Sequence, residues 1–552
     1  MSFGIRTLRR DPLQHWPLYA SVLILSSLFG LLLATSFYQN QGHLVYALDD
    51  PYIHMAMARN FSLYGVWGIT RYGFTSSSSS ILWTLLLSFT YYLLGASQAA
   101  PLVWNLLFAV LILCTAYAIL SWYKLSPRLK FAALLVIIFF VPLPTLILSG
   151  LEQNLQTLLV LLVTFLAARM LSGEAPGSAA RDSTLLLVLA PLVTAVRFEG
   201  MFLIFAIGIF LLLRKRWIYA LAFTVCGFLP VVIYGIVSVK HGWFWFPSSV
   251  LLKGVMPDLS SLSGLFLSLT INAFANLYKG LHVFVLLIGV LLFYTLACGK
   301  GRSLFDSRQL MGAILLLTAV PHVEFVEVGP LFRYDAYLFV LGVVFLASQL
   351  PVLTVSLSTR ASFSGRLVPQ YLATGAVTLL LFFPLTVKAT RLLWLLPQCT
   401  TNVFEQQYQM GVFIKQYYQG STVALNDVGA VNFLADIHCL DLWGLADRGI
   451  TLAKRTHTFR SWVIADLSRQ TGARIAIVYA PWFAGEVGGL PSDWVRVGRW
   501  TIPNNVVLGG DTVSIYAVDP SEVPHLTQCL RDFSRRLPRD VIQSGSYLEP
   551  QP

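Results

Sequence analysis

The chain has 552 residues, of which 56% are hydrophobic and only 12% are charged, and its mean hydropathy is +0.69. A soluble domain carries about 25% charged residues, so this composition indicates a polytopic membrane protein and excludes a disordered chain or a soluble enzyme with one anchor. The net charge of +12 does not indicate nucleic-acid binding, because Lys and Arg lie in short loops between apolar runs, which is the positive-inside pattern.

Apolar runs along the chain predict a bundle of about 11 transmembrane helices, since about 20 apolar residues cross a bilayer. The first run follows Arg6, Arg9 and Arg10 and has no small-residue cleavage site, so we expect a signal anchor. The stretch 184–213 is interrupted by a charged turn and is interpreted as two short helices. The other spans are predicted near 17–37, 101–121, 130–148, 153–170, 217–238, 281–298, 310–325, 336–351 and 371–390.

The segment Ile81–Gly95 is apolar but has only about 15 residues, which is short for a span. If it does not cross, the later loops that are rich in Lys and Arg all face the cytoplasm with the N-terminus. If it crosses, they all face outside, against the positive-inside pattern. We therefore predict a juxtamembrane helix on the outer face, within a first outer loop that covers 38–100.

This first outer loop contains two adjacent carboxylates, Asp49 and Asp50, followed by Pro51, whose fixed φ suits the first turn of a helix. Three interpretations stay open. Asp49 can cap the helix by accepting backbone N–H groups. The pair can bind a hard cation together with Asn60 or His54. One carboxylate can act as a general base toward a hydroxyl nucleophile.

Further charged residues fall at helix ends on the predicted outer side. Glu152 follows Gly150, Arg197 and Glu199 share one turn, and Asp335 precedes a span. Charged residues at such depth usually face a cavity in the bundle rather than lipid. We expect these groups to outline a polar cavity that opens outward, with Arg197 and Glu199 paired beside it.

Four more side chains are candidates for contacts with a phosphate or a carboxylate. Lys253 lies in an aromatic outer loop at the predicted depth of lipid headgroups, and Arg333 lies near the start of the tenth span. Each can pair with a lipid phosphate or extend to the headgroups. His54 lies four residues after Asp50, on the same helix face, and Arg59 follows on that helix.

From about residue 392 the apolar runs become short, and β-type runs alternate with helical stretches, which predicts a small α/β domain. An odd number of spans places this domain outside. Asp427 follows the first predicted strand, and Trp443 can either stack on a sugar ring or lie in the core. We predict a transmembrane unit over 1–391 and a soluble extracytoplasmic α/β domain over 392–552. The strands are expected at 422–425, 475–479 and 513–518, and the helices at 404–418 and 458–470.

Taken in order, these residues resemble the GT-C superfamily of integral-membrane glycosyltransferases, and within it the bacterial arabinofuranosyltransferase-like and mannosyltransferase-like members. Serines 76–80 stand where that pattern has Asn-Pro, and Pro247-Ser248-Ser249 stands where it has Pro-Asn-Thr. These departures affect the expected substrate more than the expected reaction. The matching motifs are Asp49-Asp50-Pro51-Tyr52-Ile53, Gly73-Phe74-Thr75, Ser149-Gly150-Leu151-Glu152, Arg197-Phe198-Glu199-Gly200, Pro247 to Lys253, Phe332-Arg333-Tyr334, Asp427-Val428-Gly429 and Asp441-Leu442-Trp443-Gly444-Leu445.

The resemblance implies a GT-C-type fold in a bacterial plasma membrane. It implies an inverting transfer of a monosaccharide from a polyprenyl-phosphate donor to a hydroxyl of a glycan, lipid or protein at the extracytoplasmic face. A first-loop carboxylate would be the catalytic base. We assign this role to Asp49, with Asp50 as its partner or as the ligand of a divalent cation (Mg, Mn or Ca), although the resemblance leaves metal dependence open.

Nine other residues, singled out by position or by the resemblance, are candidates for substrate binding. The competing interpretation is a polytopic transporter or flippase for a lipid-linked saccharide, which predicts repeat symmetry and unwound helices at mid-membrane. The nine candidates are His54, Arg59, Glu152, Arg197, Glu199, Lys253, Arg333, Asp427 and Trp443.

Overall fold

The structure is a computed structural model that describes residues 12–174, 176–254, 261–299, 302–326, 331, 333–361 and 367–548. Some side chains within these helices also lie outside the description, including those of 352–361 and 367–382. The predicted basic N-terminus (Arg6, Arg9 and Arg10), Phe332 and the side chain of Lys253 fall outside the described part.

The first three quarters of the chain form a helical bundle, as the composition predicts. Its helices are Trp16–Gln39, Asp50–Tyr64, Ile81–Leu94, Ala99–Trp122, Pro127–Phe140, Leu143–Ser149, Gln153–Ser172, Ala179–Val196, Gly200–Leu213, Trp217–Lys240, Ser248–Lys253, Leu262–Lys279, Leu281–Cys298, Ser307–Phe325, Ala336–Ala361 and Leu367–Val403.

Within the described residues, six helices are long and apolar enough to cross a membrane. A seventh is added if Pro127–Phe140 and Leu143–Ser149, which meet at 42°, are one bent span. All predicted spans fall on helices, but Gly200–Leu213 has only 14 residues. The chain is thus built as a polytopic membrane protein, while the count of 11 spans stays a prediction.

The first-loop helix Asp50–Tyr64 begins where the acidic pair and Pro51 predict. Pro51 lies in its first turn, where the missing N–H is not needed. Gly65 ends the helix with a left-handed φ of 68°, a conformation that glycine adopts without steric cost.

The predicted juxtamembrane segment is a helix of 14 residues, Ile81–Leu94. The side chain of Ser80 caps it by accepting the N–H of Trp83. Trp83, Leu87 and Tyr91 are buried at intervals of one helical turn against the Asp50–Tyr64 helix, whereas the opposite side is exposed. A helix that crosses a membrane at the edge of a bundle has the same one-sided burial, so the position of Ile81–Leu94 along the outer face stays a prediction.

The C-terminal part contains a six-stranded mixed sheet. Its strands are β1 Thr422–Leu425, β2 His438–Asp441, β3 Ile475–Val478, β4 Val495–Thr501, β5 Thr512–Ala517 and β6 Ile542–Gly545. In the sheet they lie in the order β2-β1-β3-β5-β4-β6. Strand β1 pairs in parallel with β2 and β3, and the remaining neighbours pair antiparallel. The predicted C-terminal combination of strands and helices is present, and the three predicted strands are β1, β3 and β5.

Helices surround this sheet and join it to the bundle. The helix Leu367–Val403 passes without a break through the predicted boundary at 391, and one π-helical turn, Phe404–Tyr408, follows it. The two-domain division therefore stays a prediction. The α-helices of this part are Gln409–Tyr417, Ala430–Leu434, Arg448–Arg455, Ser461–Thr471 and Val523–Phe533.

Candidate active site

A cavity of about 420 Å³ lies where the first-loop helix, several ends of bundle helices and the C-terminal part meet. A volume in this range suits a small ligand. The C-terminal part reaches its wall through Leu445. Six predicted site residues line it together: Asp50, His54, Glu152, Arg197, Glu199 and Arg333.

Glu152 reaches the cavity through a turn that requires glycine. Gly150 has a φ of +71°, and a Cβ there would lie 2.6 Å from the ring of Tyr46. The turn therefore packs against Tyr46 and leaves Glu152 fully buried at the start of the Gln153–Ser172 helix.

Arg197 holds the two carboxylates of this wall. Its Nη1 donates to Glu152 Oε1 at 2.6 Å. Its Nε and Nη2 donate to the two oxygens of Glu199 at 3.0 and 2.6 Å. The expected pairing of Arg197 with Glu199 is present, and Glu152 extends it. Because Arg197 bridges two anions, this wall remains negative rather than forming a phosphate site.

Asp50 and Arg333 form an ion pair across the cavity from two different elements. Arg333 also lies over the ring of Tyr334, with its guanidinium carbon 4.9 Å from the ring centroid. Within the described part of the chain, its buried Nε has no hydrogen-bond partner. Arg333 thus combines one carboxylate partner with an unused donor.

His54 lies on the same helix as Asp50, one turn further on. Its Nδ1 is 3.1 Å from both Thr84 Oγ1 and Ser78 Oγ. Its Nε2 is 3.6 Å from Glu152 Oε2. The hydroxyls fix the ring, so this histidine faces the carboxylate of Glu152.

Asp49 has a different environment from Asp50 and is not among the residues that line the cavity. Its Oδ2 accepts the N–H of Gly429 and its Oδ1 accepts the N–H of Ala430, both at 2.7 Å. A Cβ at Gly429 would lie 2.6 Å from Asp49 Oδ2, so only glycine allows this approach. Burial and the nearby Asp427 raise the pKa of Asp49 to about 8.

Asp49 thus contacts the start of the short helix Ala430–Leu434, and Arg59 contacts its other end. Its Nη1 donates to the carbonyl of Phe433 at 2.6 Å and its Nη2 to that of Asn432 at 3.1 Å. Asp49 satisfies two free N–H groups at the N-terminus of this helix, and a guanidinium at the C-terminus suits the helix dipole. Asp49 and Arg59 thus form a clamp on Ala430–Leu434. This geometry favours a structural role for Arg59 over the predicted contact with substrate.

Asp427 and Trp443 lie away from the cavity lining. Asp427 accepts a hydrogen bond from Gln407 Nε2 at 2.8 Å. Trp443 has Lys454 Nζ 3.3 Å from its ring centroid and stacks at a tilt on Trp482, with centroids 4.5 Å apart. Since these groups cover Trp443, a sugar does not have free access to both of its faces. Lys253 ends a short helix next to Gly254, which lines the cavity.

A buried polar network behind Arg333 was not predicted. The Nε2 atoms of His282 and His322 lie 3.1 and 3.2 Å from the two oxygens of Asp335. Tyr337 OH lies 2.8 Å from His322 Nδ1, on the far side of that ring, whereas Lys388 Nζ lies 2.7 Å from His282 Nε2, the atom that also faces Asp335. Asp335 is two residues after Arg333, so the network fixes the turn that carries it. The histidines lie in separate apolar runs, and only the structure brings them together.

The residues around Asp50 do not fit the expected divalent-cation site. In the ranges that the structure describes, no group of three or more His, Cys, Asp or Glu side chains can hold a metal ion. The guanidinium of Arg333 also occupies one oxygen of Asp50. We therefore derive no step through a metal.

Comparisons with known proteins give the chain distant likenesses. A family model described as "Domain of unknown function (DUF8728)" matches residues 401–516, and no curated protein matches significantly. The fold resembles the crystal structure of ArnT from Cupriavidus metallidurans bound to undecaprenyl phosphate, at 13% identity and a TM-score of 0.49, over 90% of this chain and 98% of that one. It also resembles the Archaeoglobus fulgidus oligosaccharyltransferase in complex with zinc and sulfate, at 12% identity and a TM-score of 0.45, over 90% of this chain and 74% of that one. Likenesses this distant carry no argument about activity, which rests on the site itself.

Proposed function

We propose that this chain is an integral-membrane glycosyltransferase of the GT-C type, which moves a monosaccharide from a polyprenyl-phosphate donor to an acceptor hydroxyl. The observation that carries the proposal is the Asp50–Arg333 pair on a polar cavity at the end of an apolar helical bundle. A carboxylate base and a phosphate-binding cation are the two groups that such a transfer needs. The bundle supplies the apolar surface for the lipid tail.

In this reaction the acceptor oxygen attacks the anomeric carbon of the donor. The acceptor proton passes to the carboxylate of Asp50 while the new glycosidic bond forms. The bond between the anomeric carbon and the phosphate oxygen breaks, and polyprenyl phosphate leaves with the bonding electrons. A single displacement inverts the configuration at that carbon. Arg333 stabilises the leaving phosphate with its unused donor.

The placement of the two aspartates changes their proposed roles. Sequence reasoning favours Asp49 as the base. Geometry comes first for a general base, however, and both oxygens of Asp49 accept backbone N–H groups outside the cavity lining. We therefore propose Asp50 as the base and Asp49 as a positioning residue that docks the C-terminal part.

We also propose that the cavity and the C-terminal part face the extracytoplasmic side of a bacterial plasma membrane. The support is the arrangement of Lys and Arg in the loops, which places the N-terminus in the cytoplasm. The sequence resemblance favours donors that carry an arabinofuranosyl or a mannosyl group. The acceptor is a hydroxyl of a glycan, lipid or protein.

The proposal is tested with the purified full chain in proteoliposomes. Undecaprenyl phosphate that carries a radiolabelled arabinofuranosyl, mannosyl or glucosyl group is supplied with a membrane glycan fraction as acceptor. A glycosyltransferase releases undecaprenyl phosphate and transfers the label to the acceptor. A transporter or flippase moves the intact labelled lipid between leaflets without releasing it, and that result would contradict the proposal.

A further inference from the structure

Three uncharged side chains in the cavity wall, in addition to Glu152 and Arg333, have polar atoms without a hydrogen-bond partner among the described residues. Gln153, Ser77 and Ser249 line the cavity and are only 1%, 3% and 7% exposed. Within the described residues, both amide atoms of Gln153 and both serine hydroxyls lack a hydrogen bond. Each buried polar group left in this state costs about 1–3 kcal/mol, so a wall with three of them is suited to a polar ligand.

The elements that carry these side chains are held in place by other contacts. The N–H of Ser248 donates to the carbonyl of Ser76 at 2.8 Å, which joins the two serine loops. Ser76 Oγ is also 2.8 Å from Tyr234 OH and 3.1 Å from Ser238 Oγ. The serines next in sequence, Ser77 and Ser249, are therefore held in position, and their hydroxyls have no hydrogen-bond partner in the part of the chain that the structure describes.

Gln153 is positioned by a longer element. It is the first residue of the Gln153–Ser172 helix, which has 20 residues and a largely buried surface. It directly follows Glu152, whose backbone is fixed by the glycine turn. The amide thus projects from a rigid helix start rather than from a mobile loop.

The hydrogen-bonding groups of this wall suit the sugar of a polyprenyl-phosphate donor better than its phosphate. A primary amide and two hydroxyls offer both donors and acceptors, which match sugar hydroxyls. The neighbouring carboxylate of Glu152 also accepts hydrogen bonds, and its Oε2 has no hydrogen-bond partner in the described part. A phosphate accepts hydrogen bonds and is repelled by that carboxylate, whereas a sugar hydroxyl can donate to it.

We infer that Gln153, Ser77 and Ser249 form the hydroxyl-recognition site for the glycosyl group of the donor and determine which sugar is accepted. The inference rests on the proposed function, because it needs a glycosyl group in this cavity. Ser77 and Ser249 belong to the two loops in which the sequence departs from the pattern it otherwise resembles. Both departures therefore fall on one wall.

The test compares the binding of two kinds of lipid to the purified full chain. The first is undecaprenyl phosphate without a sugar, and the second is the same lipid with an arabinofuranosyl, mannosyl or glucosyl group. Gln153→Met keeps the size of the side chain and removes its polar atoms. We expect it to weaken binding of the preferred sugar-bearing lipid about 5- to 100-fold and to leave binding of the sugarless lipid unchanged. Ser77→Ala and Ser249→Ala should act in the same sense.

Gln349→Met is the matched control. Gln349 is also buried, its Nε2 has no partner among the described residues, and it does not line the cavity. This control should bind both lipids as the wild type does.

Two results would overturn the inference and leave the proposed function standing. In one, Gln153→Met weakens the binding of both lipids equally; in the other, it weakens the binding of neither. A wild type that binds sugar-bearing and sugarless lipids equally would do the same. A wild type that binds neither lipid would overturn both proposals.

Discussion

At the scale of single residues, the two neighbouring aspartates have different environments. Asp50 begins the first-loop helix and faces Arg333 in the cavity. Asp49 precedes that helix and accepts two N–H groups from the C-terminal part. The two residues are adjacent in sequence, yet one carboxylate points toward the cavity and the other toward the helix Ala430–Leu434.

The raised pKa of Asp49 gives a prediction about pH. An aspartate has a pKa of about 3.9 in an unfolded chain, whereas burial and Asp427 raise that of Asp49 to about 8 in the folded protein. The folded state therefore binds this proton more tightly. The stabilisation is fully present below about pH 4 and is lost as the pH rises toward about 8.

Asp49→Asn removes this titration, so its stability should depend less on pH. Thermal unfolding of both proteins in the same detergent at pH 5 and pH 8 checks this. We expect the unfolding midpoint of the wild type to fall more between pH 5 and pH 8 than that of Asp49→Asn. Equal slopes in the two proteins would mean that Asp49 does not titrate in this range.

At the scale of elements, the first-loop helix and the short helix Ala430–Leu434 form one of the contacts between the bundle and the α/β part. Asp49 and Arg59 bind the two ends of the short helix. Because Asp50 and Asp49 are neighbours, a shift of the short helix would also move the cavity carboxylate. The clamp thus couples the docking of the C-terminal part to the geometry of the site.

Gly429→Ala tests the clamp. The added Cβ would lie 2.1 Å from the carbonyl oxygen of Asp49, so the short helix must move away. Overpacking of this kind costs about 1–3 kcal/mol, and we expect a lower unfolding midpoint and faster hydrogen exchange of the amides in 430–434. In Gly177→Ala, the control, the added Cβ meets nothing within 4 Å. Unchanged exchange in Gly429→Ala would contradict the clamp.

Sequence patterns predicted those elements whose signal is local. The apolar runs fall on helices, Pro51 marks the start of the first-loop helix, and the β-branched runs at β1, β3 and β5 are strands. The helix Leu262–Lys279 was missed because asparagines and serines interrupt its apolar pattern. Strands β2, β4 and β6 were missed because they are short or contain charged and glycine residues, and only pairing with their neighbours makes them strands.

The charged residues of the site were predictable from the sequence, whereas the contacts among them were not. Charged residues at helix ends pointed to a cavity, and five charged residues line it together with His54. The different roles of Asp49 and Asp50 depend on a segment 380 residues away in sequence, which no local pattern reveals. Gln153 and the two serines are common residue types, and they become distinctive only through burial without partners.

At the scale of the whole molecule, one orientation in the membrane explains both the loop charges and the position of the site. If Ile81–Leu94 lies on the surface, the basic loops share the cytoplasmic side and the cavity opens on the other side. Topology reporters fused at Ser364 and at Asp519 test this. The first should report the cytoplasm and the second the outside, and the reverse would mean that Ile81–Leu94 crosses the membrane.

The central claim, that Asp50 is the catalytic base of a glycosyl transfer, is tested most directly by comparing Asp50→Asn with Asp49→Asn in the proteoliposome transfer assay. Loss of a general base lowers kcat by about 100- to 10,000-fold, and we expect this for Asp50→Asn with binding of the sugar-bearing lipid retained. Asp49→Asn should keep a larger share of its activity, because the Asn side chain can still accept a hydrogen bond from the docked helix. Wild-type activity in Asp50→Asn, or a loss confined to Asp49→Asn, would contradict the account.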